Sequence, residues 1–184
     1  MRFTFVSEWP SKDVCLAVIG DPTFSSTTEQ RQYNAVFSLI YGVGASVKEC
    51  QTLKTNDILQ ISSAKGEVGF QKVRLGISTK RAILLPKGCV DHLSQHLEEN
   101  VRKSQDLVFQ SSVGNKLHRD YIVAELKNRF KSFSEHRDFN IAHLHTAGIA
   151  HALETGMRPA VLGQHRGLTT VRQWQALDRF VRQV

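Results

Sequence analysis

Several features are scarce in this sequence of 184 residues. It has only three cysteines, Cys15, Cys50 and Cys89, which lie far apart and form no C-x-x-C pair. That spacing argues against a disulfide framework and against a cysteine-based zinc site. No apolar run approaches the roughly 18 residues that a membrane-spanning helix needs, and the first residues lack the pattern of a signal peptide. We therefore expect a single cytoplasmic domain over residues 1–184, with no membrane contact.

Acidic residues are fewer than basic ones, 17 against 24, and the excess of basic residues lies after residue 60. The formal net charge is +7, made up of −1 over residues 1–60, +4 over residues 61–120 and +4 over residues 121–184. Lysine and arginine contacts to phosphates release counterions and give affinity without reading sequence. The charge distribution thus favours a polyanionic partner for the last two thirds of the chain.

The hydrophobic pattern predicts an α+β domain that is mainly helical, with a small three-stranded antiparallel sheet. Apolar residues recur at helical spacing in residues 28–41, and a second short helix is predicted over residues 46–53. Between residues 58 and 85 the period becomes alternating, which indicates three strands with turns near Lys65-Gly66 and Ser78-Thr79-Lys80. Further helices are predicted over residues 90–103, 119–133, 144–155 and 169–184. Residues 1–27 are assigned to an N-terminal extension, with a β-like run at 2–6 and an apolar stretch at 14–19.

The stretch over residues 142–174, AHLHTAGIAHALETGMRPAVLGQHRGLTTVRQW, resembles the active-site half of the tyrosine recombinase and phage integrase family. That family's pattern is roughly H-x-L-R-H-T, then E-x-G, L-G-H and S-x-x-T-T before a nucleophilic tyrosine. The frame residues match here at Leu144, Glu154, Gly156, Leu162, Gly163, Thr169 and Thr170. The reactive positions do not match: they hold Ala142, His145, Gln164 and Gln173.

The first half of the chain resembles the same family, and the resemblance covers about residues 28–177. The segment IYGVGASVKECQTL matches the family's Y-G-x-G-L-R-x-S-E-L-x-x-L, with Ser46 where the arginine stands. The segment VRLGISTKRAILLP resembles the family's β-hairpin, with Ile77 where the catalytic lysine usually stands. The resemblance therefore implies a recombinase-like catalytic domain, without the separate core-binding domain that active members usually have.

The exchanged residues imply loss of strand cleavage. In the family a tyrosine attacks a DNA phosphate, and two arginines meet the negative charge that develops on the phosphate oxygens. Guanidinium suits this task because it stays ionised and donates in a bidentate fork. Serine at position 46 is neutral, histidine at position 145 is expected to be only partly protonated, and no tyrosine follows Tyr121. We therefore expect no enzyme activity, no catalytic residues and no cofactor.

On the family's pattern, ten residues are candidates for DNA contact. They lie on the predicted hairpin, at the entrance of the helix near residue 119 and in the C-terminal third: Lys72, Arg74, Lys80, Arg81, Lys116, Arg119, His145, His165, Arg166 and Arg172. For each of them a solvated surface position, without DNA contact, is the alternative. His145 and His151 are equally consistent with hydrogen-bonded core positions.

Two sets of histidines have spacings that suggest a metal site. His143, His145 and His151 form one set, but positions two apart do not share a helix face. The other set, His92, His96 and Glu99, lies on a helix that is expected to be polar and solvated. We predict no metal site.

The sequence thus predicts a non-catalytic, sequence-specific protein that binds double-stranded DNA. The expected role is a transcriptional regulator or accessory factor of a bacterial mobile element such as a plasmid or phage. The apolar stripe Val171, Trp174, Leu177 and Val181 of the last helix could supply the contact of a homodimer or a higher oligomer, and it could equally pack within its own chain. Two alternatives stay open: an active recombinase assisted by displaced residues such as Lys80, Arg81 and Arg166, and a protein-interaction or assembly factor.

Overall fold

The computed structural model describes residues 8–20, 27–62, 68–77, 80–98, 106–136, 138–182 and 184. In these residues it has eight α-helices and one three-stranded antiparallel sheet, so the predicted α+β class is confirmed. The helices are α1 (Lys12–Ile19), α2 (Thr28–Val43), α3 (Val47–Thr52), α4 (Lys87–Glu98), α5 (Arg119–Phe130), α6 (Ile141–Glu154), α7 (Pro159–His165) and α8 (Val171–Val181). The strands are β1 (Ile58–Ser62), β2 (Val68–Leu75) and β3 (Arg81–Leu84), and short 3-10 turns span Thr55–Asp57 and Ser134–His136.

The sheet has the order β1-β2-β3, and both strand pairs are antiparallel. Val73 of β2 pairs with Ile58 on one side and with Ile83 on the other, and all three side chains are buried. Lys72 and Arg74 flank Val73 and lie more exposed, as expected when successive side chains point to opposite faces of a sheet. The predicted turn at Lys65-Gly66 lies outside the described residues, and of the second predicted turn only Lys80 is described.

Helix α2 is the central helix of the domain. It contacts α1, α4, α5 and α6, and ten of its residues are buried. Thr27 caps its start by accepting a hydrogen bond from the Gln30 N–H, and Gly44 follows its end at a φ of 69°. Glycine tolerates this left-handed conformation without the Cβ penalty of other residues, so the chain can turn sharply into α3.

Residues 12–19, which the sequence analysis assigned to an extension, form α1 and belong to the same core. Cys15 and Val18 are 0% and 1% exposed. The Arg129 side chain on α5 donates to the carbonyls of Val18 and Ile19 at 3.0 Å each, and to Asn34 of α2 at 2.6 Å. These bonds satisfy carbonyls at the end of α1, which have no partner within that helix. The β-like run at residues 2–6 lies outside the described residues.

The C-terminal helices form a second, smaller cluster. Leu177 and Phe180 of α8 are each 2% exposed, and Trp174 lies close enough to Gly163 of α7 that an added Cβ there would approach the ring within 2.3 Å. Much of the predicted dimerisation stripe therefore packs within its own chain, whereas Val171 stays 74% exposed. Helix α7 was not predicted, because its seven residues are too short to show a helical period.

The second predicted histidine set, on α4, is more buried than expected. His92 and His96 are 6% and 1% exposed, so the inner face of α4 is not solvated; His96 bonds the Val108 carbonyl at 2.8 Å and stacks on Phe109. Glu99 lies outside the described residues, which hold no group of three potential metal ligands. None of the described helices combines the length and apolar character needed to cross a bilayer.

Candidate nucleic-acid interface

Three of the positions that the resemblance aligns with the family's reactive residues meet at one cavity. Ser46, Ala142 and His145 all line a cavity of about 760 Å³ between α3, α5 and α6. The N-terminal ends of α5 and α6 also reach this cavity, through Arg119 and Ile141. The structure thus brings together residues that lie almost one hundred positions apart in the sequence.

The cavity is bordered by four exposed cationic side chains: Lys48, Lys116, Arg119 and Lys127. Among the described residues no carboxylate lines it, and none of these residues forms an ion pair with any of the four cations. A concave surface with charge of one sign concentrates the potential and attracts anions. We call this surface the basic cavity.

Lys48 and Lys127 were missed by the sequence analysis. Arg119, Val123 and Lys127 stand at i, i+4 and i+8 of α5, on a different face from the buried Ile122, Leu126 and Phe130. This spacing was available in the sequence as a basic helix face. Lys48 had no such signal, because it sits in a short helix whose orientation depends on packing.

Ser46 starts α3 and is fully engaged there. Its hydroxyl donates to a Glu49 carboxylate oxygen at 2.8 Å, and it accepts from the Glu49 backbone N–H at 3.1 Å. The same carboxylate oxygen accepts from the Ser46 N–H at 2.8 Å, which completes a capping box. Ser46 therefore stabilises a helix start and presents no charge to the cavity.

His145 is neutral in this fold. It is hydrogen-bonded to the backbone of Gly44, while burial and the adjacent charge of Arg166 lower its pKa to about 3. Part of the ring still borders the basic cavity, yet the surrounding protein suppresses protonation. The expectation of a partly protonated histidine is wrong: at neutral pH this position contributes only a neutral imidazole.

Arg166 is buried behind the cavity. It is 3% exposed and donates to the carbonyls of Ile40 and Tyr41, at 3.2 and 2.9 Å. A Cβ at Gly44 would lie 1.9 Å from the Arg166 Cδ, so this glycine also makes room for the arginine. Burial lowers its pKa to about 9, which leaves it protonated at neutral pH. In this structure Arg166 therefore holds the end of α2, and its DNA contact stays a prediction.

Arg81 and Lys80, the two hairpin residues that were candidates to replace the catalytic lysine, are both paired. Arg81 forms an ion pair with Glu49 and donates from Nε to the His165 carbonyl at 3.1 Å. Lys80 forms an ion pair with the buried Asp57, although much of its own side chain is exposed. Arg81 thus links β3 to α3 and α7, and Lys80 anchors the end of the hairpin. Neither residue lines the basic cavity.

The other predicted DNA contacts divide between the cavity and other parts of the surface. Lys116 and Arg119 border the cavity and are exposed; Arg74 and Arg172 are exposed elsewhere, and Lys72 and His165 are half-buried. Burial, followed by the charges of Arg166 and Arg81, lowers the pKa of His165. The structure therefore does not gather these residues into one patch.

Gln173, which the sequence resemblance aligns with the family's nucleophilic tyrosine, caps α8. Its side-chain oxygen accepts from the backbone N–H groups of Thr169 and Thr170, at 2.9 and 3.0 Å. In return, the Thr170 hydroxyl accepts from the Gln173 N–H. This residue is thus a structural one in the described fold.

No protein-family model and no curated protein matches this chain. Solved structures do match it. A crystal structure of XerA recombinase superposes with a TM-score of 0.74 at 17% identity, over 98% of this chain and 64% of that one. XerH site-specific recombinase in a post-cleavage complex with its palindromic difH substrate gives 0.70 at 16% identity, over 95% of this chain and 50% of that one.

The integrase of the Tn1549 transposon, solved with circular intermediate DNA, gives a TM-score of 0.65 at 11% identity, over 95% of this chain and 61% of that one. At such identities the likeness establishes the fold alone, which is that of a tyrosine recombinase catalytic domain. This chain spans between half and two thirds of the length of the three structures.

Proposed function

We propose that this protein binds double-stranded DNA in a sequence-specific manner and does not cut it. It would act in the cytoplasm as a transcriptional regulator or accessory factor of a bacterial mobile element. The observation that supports the proposal is the basic cavity. Its four exposed cations form no ion pair with the described residues, and they border the positions that the resemblance aligns with the family's phosphate-handling residues, here Ser46, Ala142 and His145.

The loss of cleavage is argued from charge and geometry. Removing one preorganised donor to a transition-state oxyanion costs on the order of 100-fold to 1000-fold in rate. Ser46 directs its hydroxyl to Glu49, His145 is neutral, and the Gln173 side chain accepts hydrogen bonds at the start of α8. Arg81 and Arg166 are not available as substitutes, because both donate to groups inside the fold.

DNA is the partner that best fits the remaining cations. Lys48, Lys116, Arg119 and Lys127 surround the cavity, and Arg74 and Arg172 add exposed charge outside it. Two of the similar structures, XerH and the Tn1549 integrase, were solved with DNA. Phosphate contacts of this kind position a protein on a duplex, whereas sequence is read separately at the base edges. Pairing of two copies through the exposed part of α8, around Val171, would add a second half-site.

The proposal is tested with DNA fragments recovered with the protein from its host cell. In gel shifts at several salt concentrations we expect one shifted complex whose affinity falls steeply as salt rises. A nicked suicide substrate, which traps covalent protein-DNA adducts, should yield none. A reproducible adduct would establish the strand-cleaving alternative, and absence of DNA binding even at low salt would favour the protein-interaction alternative.

A further inference from the structure

The basic cavity has a composition that a DNA backbone does not fully explain. Its volume of about 760 Å³ falls in the range of small-molecule sites, about 300–1,000 Å³. A duplex presents its phosphates as an extended row, with one charge per strand at about every 3.4 Å of helix axis. The four cations instead border one concavity, from α3, from the start of α5 and from its last turn, so that an anion held inside it would lie among them rather than along a row.

The cavity also has an apolar part. Val47, Val123 and Ile141 line it together with Ala45 and Ala142, between the cationic side chains of α3 and α5. Small-molecule sites commonly combine apolar surface with a few polar groups that fix orientation. Ala45 and Val47 are buried in the core, whereas Val123, Ile141 and Ala142 are partly exposed. Inorganic phosphate would use the cations and leave these three partly exposed apolar side chains in water.

We propose that the basic cavity binds a free nucleotide, with its phosphates at Lys48, Lys116, Arg119 and Lys127 and its base on the apolar side chains. A nucleotide has both required parts, a compact set of negative charges and a flat apolar body. The N-terminal ends of α5 and α6 at the cavity favour the phosphates further, since helix N-termini attract negative charge. Nucleotide binding itself goes beyond the proposed function. It has a regulatory consequence: a bound nucleotide would occupy the same cations as DNA and release the DNA, and this consequence rests on the proposed function.

Isothermal titration of the full chain with five probes tests the nucleotide site. The probes are ADP, AMP, ribose 5-phosphate, pyrophosphate and adenosine. We expect ADP to bind most tightly, and to bind at least about tenfold more tightly than pyrophosphate or adenosine, because only ADP engages both parts of the cavity. Equal affinities for ADP and pyrophosphate would overturn the proposal, since the site would then hold phosphate alone.

Two variants and one control variant locate the binding. Lys127→Gln should weaken ADP about tenfold, the lower end of what a hydrogen bond to a charged group contributes. Lys131→Gln is the matched control, because this exposed lysine follows the same helix outside the cavity. Val123→Thr should weaken ADP several-fold and leave pyrophosphate unchanged. Equal losses in Lys127→Gln and Lys131→Gln would show diffuse charge attraction and overturn the site.

Gel shifts on the same preparations separate this proposal from the proposed function. DNA binding without ADP binding removes the nucleotide site only, and ADP binding without DNA binding removes the proposed function only. Where both bind, ADP should release DNA from the unmodified chain and do so less effectively from Lys127→Gln. Failure of ADP to release DNA would overturn the regulatory consequence.

Discussion

Two groups of cations in this protein have the same chemistry and different surroundings. Arg81, Arg129 and Arg166 donate to backbone carbonyls inside the fold. Lys116 and Arg119 border an open cavity and have no acidic partner among the described residues. The net charge of +7 therefore does not measure how much positive charge a polyanion can contact at the surface. Part of that charge stabilises helix ends and links between elements.

The largest effect is expected at Arg166, which belongs to the group of buried arginines. In Arg166→Met, the buried carbonyls of Ile40 and Tyr41 lose their arginine donor. An unsatisfied buried polar group costs about 1–3 kcal/mol, so we expect the free energy of unfolding to fall by about 2–6 kcal/mol in urea titrations. Arg172→Met is the matched control on an exposed position and should stay within about 0.5 kcal/mol of the unmodified protein. If Arg166→Met kept its stability but lost DNA affinity, Arg166 would be a DNA contact and not a structural residue.

His145, between the two groups of cations, gives the protein a pH-dependent stability. Its pKa is lowered to about 3 in the fold, against about 6.5 in the unfolded chain. The unfolded state therefore binds more protons below pH 6.5, and stability is expected to fall as the pH drops from 7.5 towards 4. Urea midpoints at pH 7.5 and 5.0 measure this loss. His145→Gln should reduce the pH dependence, and an unchanged slope in that variant would assign the effect to other histidines.

Gln173 tests whether the position that the resemblance aligns with the nucleophile has a structural role. Gln173→Ala removes the acceptor for the Thr169 and Thr170 N–H groups, and we expect a loss of about 0.5–2 kcal/mol, as for other helix caps. Gln175→Ala, on an exposed position of the same helix, is the control. Gln173→Tyr should lose the same cap and still form no covalent adduct with a suicide substrate, because positions 46 and 145 carry no charge. An adduct in this variant would show that the remaining cations suffice for cleavage.

The sequence predicted the architecture better than the site. Residue spacing predicted helices at α2, α3, α4, α5, α6 and α8 and the three strands. Helices α1 and α7, of eight and seven residues, were missed because about two turns show no clear helical period. The shorter α3 was predicted because turn residues stand on either side of it. The positions of Ser46 and His145 followed from the resemblance, and the cavity confirms that they lie together.

The roles of the individual cations were not predictable from the sequence. Arg166 and Arg172 are six positions apart and both follow family motifs, yet one is buried and the other exposed. What separates them is a contact with the end of α2, more than one hundred residues earlier. Such long-range pairing leaves no local pattern. The charge of Arg119 and Lys127, in contrast, had a local signal in the spacing along α5.

We expect the smallest effect on stability at Arg119. The same variant tests whether the exposed cations of the basic cavity contact DNA. Arg119→Gln removes an exposed charge at the cavity and should leave the free energy of unfolding within about 0.5 kcal/mol of the unmodified value. If Arg119 meets one phosphate, the slope of log affinity against log salt should become shallower by about 0.9, because one fewer counterion is released. Lys131→Gln should leave that slope unchanged. Equal slopes in both variants would show that Arg119 is a solvated surface residue that meets no phosphate. The basic cavity would then not be a DNA contact, whereas the structural role of the buried arginines would be unaffected.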